Sequence, residues 1–122
     1  MVGRMATKKP EDAFWIALDS LVQESEIVID RPKGSHHPRY PEPVYPVDYG
    51  YLKNTTAMDG GGIDVWRGTK ISGKIDAIIC TVDLRKKDSE IKILIGCSPT
   101  EKALIMDFHN RSEWMKAILI ER

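Results

Sequence analysis

Five short β-prone runs follow one another between Glu26 and Cys97, and no helix-length pattern separates them. Nothing else in the chain constrains the fold as much, because parallel strands joined in βαβ fashion need a crossover of about a dozen residues, usually helical. Glu26-Ile27-Val28-Ile29-Asp30 reads as a strand that Pro32 and Gly34 stop. Lys33 to Pro46 carries four prolines and reads as extended and irregular. Tyr45 to Leu52 reads as a short strand interrupted by Gly50, and after a turn-rich stretch from Asn54 to Gly62 the β character resumes over Ile63–Arg67. Ile75–Leu84 and Glu90–Cys97, joined by the charged Arg85–Ser89, predict a hairpin. Helices flank this block. Pro10-Glu11-Asp12 opens one that runs to about Glu24 with Phe14, Ile16, Leu18, Leu21 and Val22 on its apolar face. Ser98-Pro99-Thr100-Glu101 opens a terminal helix, predicted to break near Asn110 and resume over Ser112–Ile120. The expectation is a disordered leader over residues 1–9 and a single domain over 10–122. Its class is mainly β with flanking helices (α+β), a highly curved sheet or closed barrel with the helices outside.

Charge narrows the function classes. Lys plus Arg and Asp plus Glu both total 18, a formal net charge of zero, where nucleic-acid binders usually show a basic excess. No apolar run approaches the roughly 18 residues needed to cross a bilayer, and residues 1–12 do not read as a secretory signal. Cys80 and Cys97 each lie in an apolar run without metal-type spacing, so two reduced thiols and a cytoplasmic location are expected.

Three constellations carry chemistry. In Asp59-Gly60-Gly61-Gly62-Ile63-Asp64, two carboxylates flank three glycines and lead into a strand. Such a pair can converge on a hard cation such as Mg²⁺, or be a tight turn followed by a strand entry. In Asp88-Ser89-Glu90-Ile91-Lys92, alternation puts Asp88, Glu90 and Lys92 on one face and Ile91, Ile93 and Ile95 on the other. Facing inward, those charges point to a ligand; facing outward, they are a solvated edge. Arg39, Tyr40, Tyr45, Tyr49 and Tyr51 offer donors that suit phosphate oxygens, or rings that pack a proline-rich loop on a core. His36 and His37 read as surface histidines.

The order and wording of these segments resemble the family I soluble inorganic pyrophosphatases. Ile29-Asp30-Arg31-Pro32-Lys33-Gly34-Ser35 is similar to the family's E-I-P-K-G-S strand. Tyr45-Pro46-Val47-Asp48-Tyr49-Gly50-Tyr51, Asn54-Thr55, Asp59-Gly60, Ile63-Asp64-Val65, Ser72-Gly73 and Glu90-Ile91-Lys92 follow in the family's order. The resemblance spans roughly residues 25–97. It implies a five-stranded OB-type barrel, Mg²⁺-dependent hydrolysis of pyrophosphate to two phosphates, and a homo-oligomer, often a hexamer in bacterial members. By the same resemblance, Asp59, Asp64 and Glu90 bind metal, Asp59, Asp64 and Lys92 form the catalytic set, and Arg39, Tyr49, Lys92 and Arg111 contact phosphate. Asp30 stands behind them where a site Glu is usual.

The chain also departs from the family's pattern. Gly61 takes the place of the middle Asp of D-x-D-P-x-D, which binds metal and helps to deprotonate the attacking water. Arg85 falls where another metal-binding Asp is expected, unless a gap brings Asp83 or Asp88 there. Phe108-His109-Asn110-Arg111 replaces the late His-Tyr-Lys, so Asn110 stands for a phosphate-binding Tyr. Two readings follow: a divergent phosphohydrolase of altered activity, and a noncatalytic relative that binds a phosphate compound or a protein partner. Neither nucleic acid nor membrane is expected as a partner.

Overall fold

The computed structural model describes residues 9–40 and 43–122. The expected leader therefore lies outside the described residues except for Lys9, which caps the first helix in an extended conformation. That helix, α1 (Pro10–Gln23), has Pro10 at its start and Glu11 and Asp12 in its first turn, where acids meet the positive end of the helix dipole. Among the described residues six strands follow in two blocks: β1 (Ile27–Arg31), β2 (Asp48–Leu52), β3 (Ile63–Arg67), β4 (Ile75–Asp83) and β5 (Asp88–Ile95), then α2 (Pro99–Asn110), then β6 (Met115–Glu121).

The sheet order is β1-β2-β3-β5-β4-β6. All neighbours are antiparallel except β3 and β5, which run parallel with Val65 opposite Ile93. Among the described residues the sheet has six strands and is open, with β1 bonded only to β2 and β6 only to β4, so the expected five-stranded barrel does not close. The expected second helical stretch, Ser112–Ile120, is strand β6, paired with β4 from Ala77↔Glu121 to Asp83↔Met115. The cause is tertiary. β4 is nine residues long, and without β6 one whole edge of it would lack hydrogen-bond partners. Asn110, at the end of α2, guides the chain into that pairing: its side-chain amide donates to the carbonyls of Met106 and Ala117 and accepts from the Ala117 N–H.

The two faces of the sheet hold two apolar clusters. On one, α1 lays Trp15, Leu18, Leu21 and Val22 over Leu52, Val65, Ile75, Ile93 and Ile95. On the other, Ile105, Met106 and Phe108 of α2 cover Tyr45, Tyr49, Trp66, Ile79 and Leu94. Gly50 does not interrupt β2, as the sequence implied, but lies inside it. A Cβ there would come within 1.8 Å of the Val28 carbonyl oxygen, where β1 bends through an irregular register, so only glycine fits. The start of α2 is tied to the sheet by Glu101. Its carboxylate accepts from the N–H of Ser98, completing a capping box, and also from the N–H of Thr69 in the connection after β3. Cys80 and Cys97 are both free thiols. Among the described residues no helix is long and apolar enough to cross a membrane.

Candidate functional site

Alternation on β5 resolves one alternative left open above. Lys92 points to the α2 side with Leu94, while Ile93 and Ile95 point to the α1 side. Its side chain is only 7% exposed, and three neighbours share its ammonium group. Nζ lies 2.6 Å from Asp64 Oδ2, 3.0 Å from the Tyr49 hydroxyl and 3.3 Å from Glu90 Oε2. The Tyr49 hydroxyl donates to Asp64 Oδ2 at 2.6 Å. The strand order explains the convergence: β2, β3 and β5 lie side by side and deliver Tyr49, Asp64 and the pair Glu90 and Lys92 to one face.

Burial shapes the protonation of this cluster. It opposes charge on Lys92, yet contacts with Tyr49 and Asp64 outweigh that and hold the ammonium above its ordinary range. Burial drives Tyr49 well above the ordinary tyrosine value, so it stays a phenol. Glu90 Oε1 is buried and has no hydrogen-bond partner, an unusual state for a carboxylate oxygen and an open acceptor within the cluster.

The cluster lies at the wall of a cavity of about 530 Å³. Asp30, Asp59, Tyr49, Asp64, Glu90 and Lys92, all singled out from the sequence, line it together. So do Asp83, Arg85 and Asp88, the three contenders for one expected carboxylate position. Asp59 sits on the exposed loop, and its Oδ1 accepts from the Gly61 N–H at 2.9 Å. Arg39 and Arg111 are not among the lining residues; Arg39 is exposed, and Arg111 pairs with Asp107 one helical turn away. His36 is exposed and His37 lines the cavity.

Among the lining residues that the sequence reading gave no role are Arg31 and His109. Arg31 donates to the Tyr45 hydroxyl and lies over the rings of Tyr45 and Tyr49, at 5.6 and 5.7 Å. Its position opposite Tyr49 in the β1–β2 pairing was the available signal, a cation at a strand end facing a tyrosine-rich neighbour. His109 is buried, accepts from the Trp66 indole N–H at 3.1 Å and has Nδ1 3.3 Å from the Met115 sulfur. Burial, aided by the charge of Lys92, pushes its pKa down to about 3. A neutral histidine with both nitrogens engaged holds the wall in shape; the late His-Tyr-Lys resemblance falls on its segment but gave it no role.

Among the described residues no three acidic, imidazole or thiol side chains converge as a ready-made metal cage. Mg²⁺ rarely uses such a cage, preferring one or two carboxylates together with waters and phosphate oxygens. The hard oxygen donors of Asp64 and Glu90, with Oε1 of Glu90 unengaged, fit that pattern.

No protein-family model matches the chain, and no curated protein matches it. Among solved structures, it is similar to an inorganic pyrophosphatase from Coxiella burnetii, at 20% identity and a TM-score of 0.51 over 64% of each chain. A structure described as an inorganic phosphatase from Anaplasma phagocytophilum aligns over 80% of each chain at 14% identity and a TM-score of 0.47. The chain thus spans 64% of the Coxiella burnetii protein. What that likeness shows is the architecture: the chain has a pyrophosphatase-like fold.

Proposed function

We propose that the cavity binds a phosphate compound of the pyrophosphate type and that the chain hydrolyses it slowly with Mg²⁺. The observation that carries this reading is the buried Lys92 ammonium held among Tyr49, Asp64 and Glu90 at the wall of a cavity that Asp59 and Arg31 also line. Lys92 and Arg31 supply fixed positive charge for phosphoryl oxygens, and Tyr49, kept protonated, spends its one donor on Asp64 and so fixes that carboxylate in place. Asp64 and Glu90 would hold the metal, which when bound acidifies a water and neutralises the anion's charge, and Asp59 lines the same cavity from its exposed loop. What the chain lacks is the carboxylate expected at Gly61, which in the resembled family acts on that water; its absence is why turnover is expected to be low.

One observation favours a second, noncatalytic reading. Lys92 already bridges Asp64 and Glu90, so a cation at those oxygens competes with the protein's own ammonium group. Phosphate release from pyrophosphate with Mg²⁺ and Mn²⁺, compared between wild type and Gly61→Asp, separates the readings. A Cβ at Gly61 meets nothing closer than Asp59 Oδ1 at 3.4 Å, so the substitution is sterically open. The expected result is slow release by wild type and a rise of about tenfold or more in the variant, since one acid–base group contributes about 10²–10⁴-fold. Binding without release in either protein selects the noncatalytic reading. Absence of pyrophosphate binding by calorimetry overturns both.

A further inference from the structure

We propose that the ligand of this cavity is an organic phosphoanhydride, a nucleoside di- or triphosphate, whose base stacks on Trp114. This rests on the phosphate-binding reading above and names the ligand class.

Size is the first argument. About 530 Å³ falls within the range of about 300–1,000 Å³ typical of sites for drug-sized ligands. Pyrophosphate, two phosphoryl groups sharing an oxygen, fills a small part of it.

The character of the walls is the second. The Lys92 cluster is polar, but aromatic rings line other parts of the cavity. Trp114, from the link between α2 and β6, is 44% exposed there, an indole that a polar anion alone does not require. Its place is fixed without burial. Its carbonyl accepts from the Leu84 N–H at 2.8 Å, its own N–H donates to Ser112 Oγ at 2.9 Å, and the Arg85 guanidinium lies 5.0 Å over its ring. Tyr51 and Tyr40 line the same space. A flat base stacks on such a ring whatever its hydrogen-bonding edge.

Charge is the third. The β4–β5 turn brings Arg85, which lies over Trp114, and Lys86 to the lining, and Arg31 and Lys92 line the same cavity. These four cations share the lining with six carboxylates, Asp30, Asp59, Asp64, Asp83, Asp88 and Glu90, so a polyphosphate tail would enter together with Mg²⁺, while Trp114 with Arg85 over its ring offers the aromatic end of the site. Arg85 adds a guanidinium at the Trp114 end of the lining that attracts such a tail.

The test is calorimetric titration of the chain, with Mg²⁺ present, by pyrophosphate, tripolyphosphate and adenosine triphosphate. Adenosine triphosphate is expected to bind about tenfold tighter than either inorganic anion. Trp114→Ala should abolish that margin while leaving pyrophosphate affinity unchanged, and Trp114→Phe should keep most of it, as one base–aromatic stack accounts for about a factor of ten or more. Tripolyphosphate binding as tightly as the nucleotide, with Trp114→Ala affecting neither, overturns the inference in favour of charge alone. Pyrophosphate binding without nucleotide binding overturns the inference and spares the phosphate reading. If none of the three binds, both fall.

Discussion

Asp64 Oδ2 lies 2.6 Å from Lys92 Nζ and accepts the Tyr49 hydroxyl at the same distance, so one carboxylate oxygen on β3 ties β2 to β5. Glu90 reaches the same ammonium from two residues away on β5. Two carboxylates therefore depend on one cation that is almost wholly out of water.

Removing that cation leaves two uncompensated acids. Lys92→Met is expected to lower stability by about 3 kcal/mol, the scale seen when one member of a buried ion pair is deleted. Adding Asp64→Asn to Lys92→Met should recover part of that loss, whereas Asp64→Asn alone should cost stability. Urea unfolding of the four proteins measures the coupling. Strict additivity would show that the contact contributes nothing.

Stability should fall on both sides of neutrality, for different reasons. His109 has its pKa pushed down to about 3 from 6.5, so the unfolded chain takes up a proton that the folded chain refuses. That contribution is whole above pH 6.5 and is lost as pH falls toward 3, at about 1.4 kcal/mol per pH unit. Lys92 and Tyr49 have raised values, so the folded chain keeps protons that the unfolded one releases. Their contribution is whole below about pH 10 and declines as pH rises further. Urea midpoints at pH 7.5, 5.5 and 4.5 should drop stepwise in wild type and flatten in His109→Gln. Equal slopes in the two proteins would remove His109 as the cause.

Two glycines of the family-like segment should respond oppositely to the same change. Gly50→Ala drives a methyl into the Val28 carbonyl and is expected to cost about 3 kcal/mol or more, or to prevent folding. Gly61→Ala places its methyl at ordinary contact distance from Asp59 and should stay within about 0.5 kcal/mol of wild type. Soluble yield and thermal midpoints give the comparison, and a tolerated Gly50→Ala would contradict the close strand approach.

Much of this architecture was legible in the residues. The β-branched runs around Ile27, Ile63, Ile75 and Ile93 announced strands because little else accommodates them. Alternation alone put Glu90 and Lys92 on a common face, and the inward side of that face proved to be the cavity side. Met115 to Ile120 was misread because Met, Lys, Ala and Leu are all good helix formers, and the deciding factor was the unsatisfied edge of β4, far away in sequence. Closure of the sheet was hidden for the same reason, since it depends on whether the two outer strands meet. Arg31 and His109 were missed because each acquires its role through a partner on another element, Tyr45 for one and Trp66 for the other.

Glu101 carries a consequence for how the molecule breathes. Its carboxylate serves the first turn of α2 and the Thr69 amide at once, and a Cβ on Gly68 would fall 2.6 Å from its Oε1. The helix start cannot fray without stripping Thr69 of an acceptor, and the connection after β3 cannot lift without uncapping the helix. Two segments some thirty residues apart thus share one latch, and their local openings become a single cooperative event.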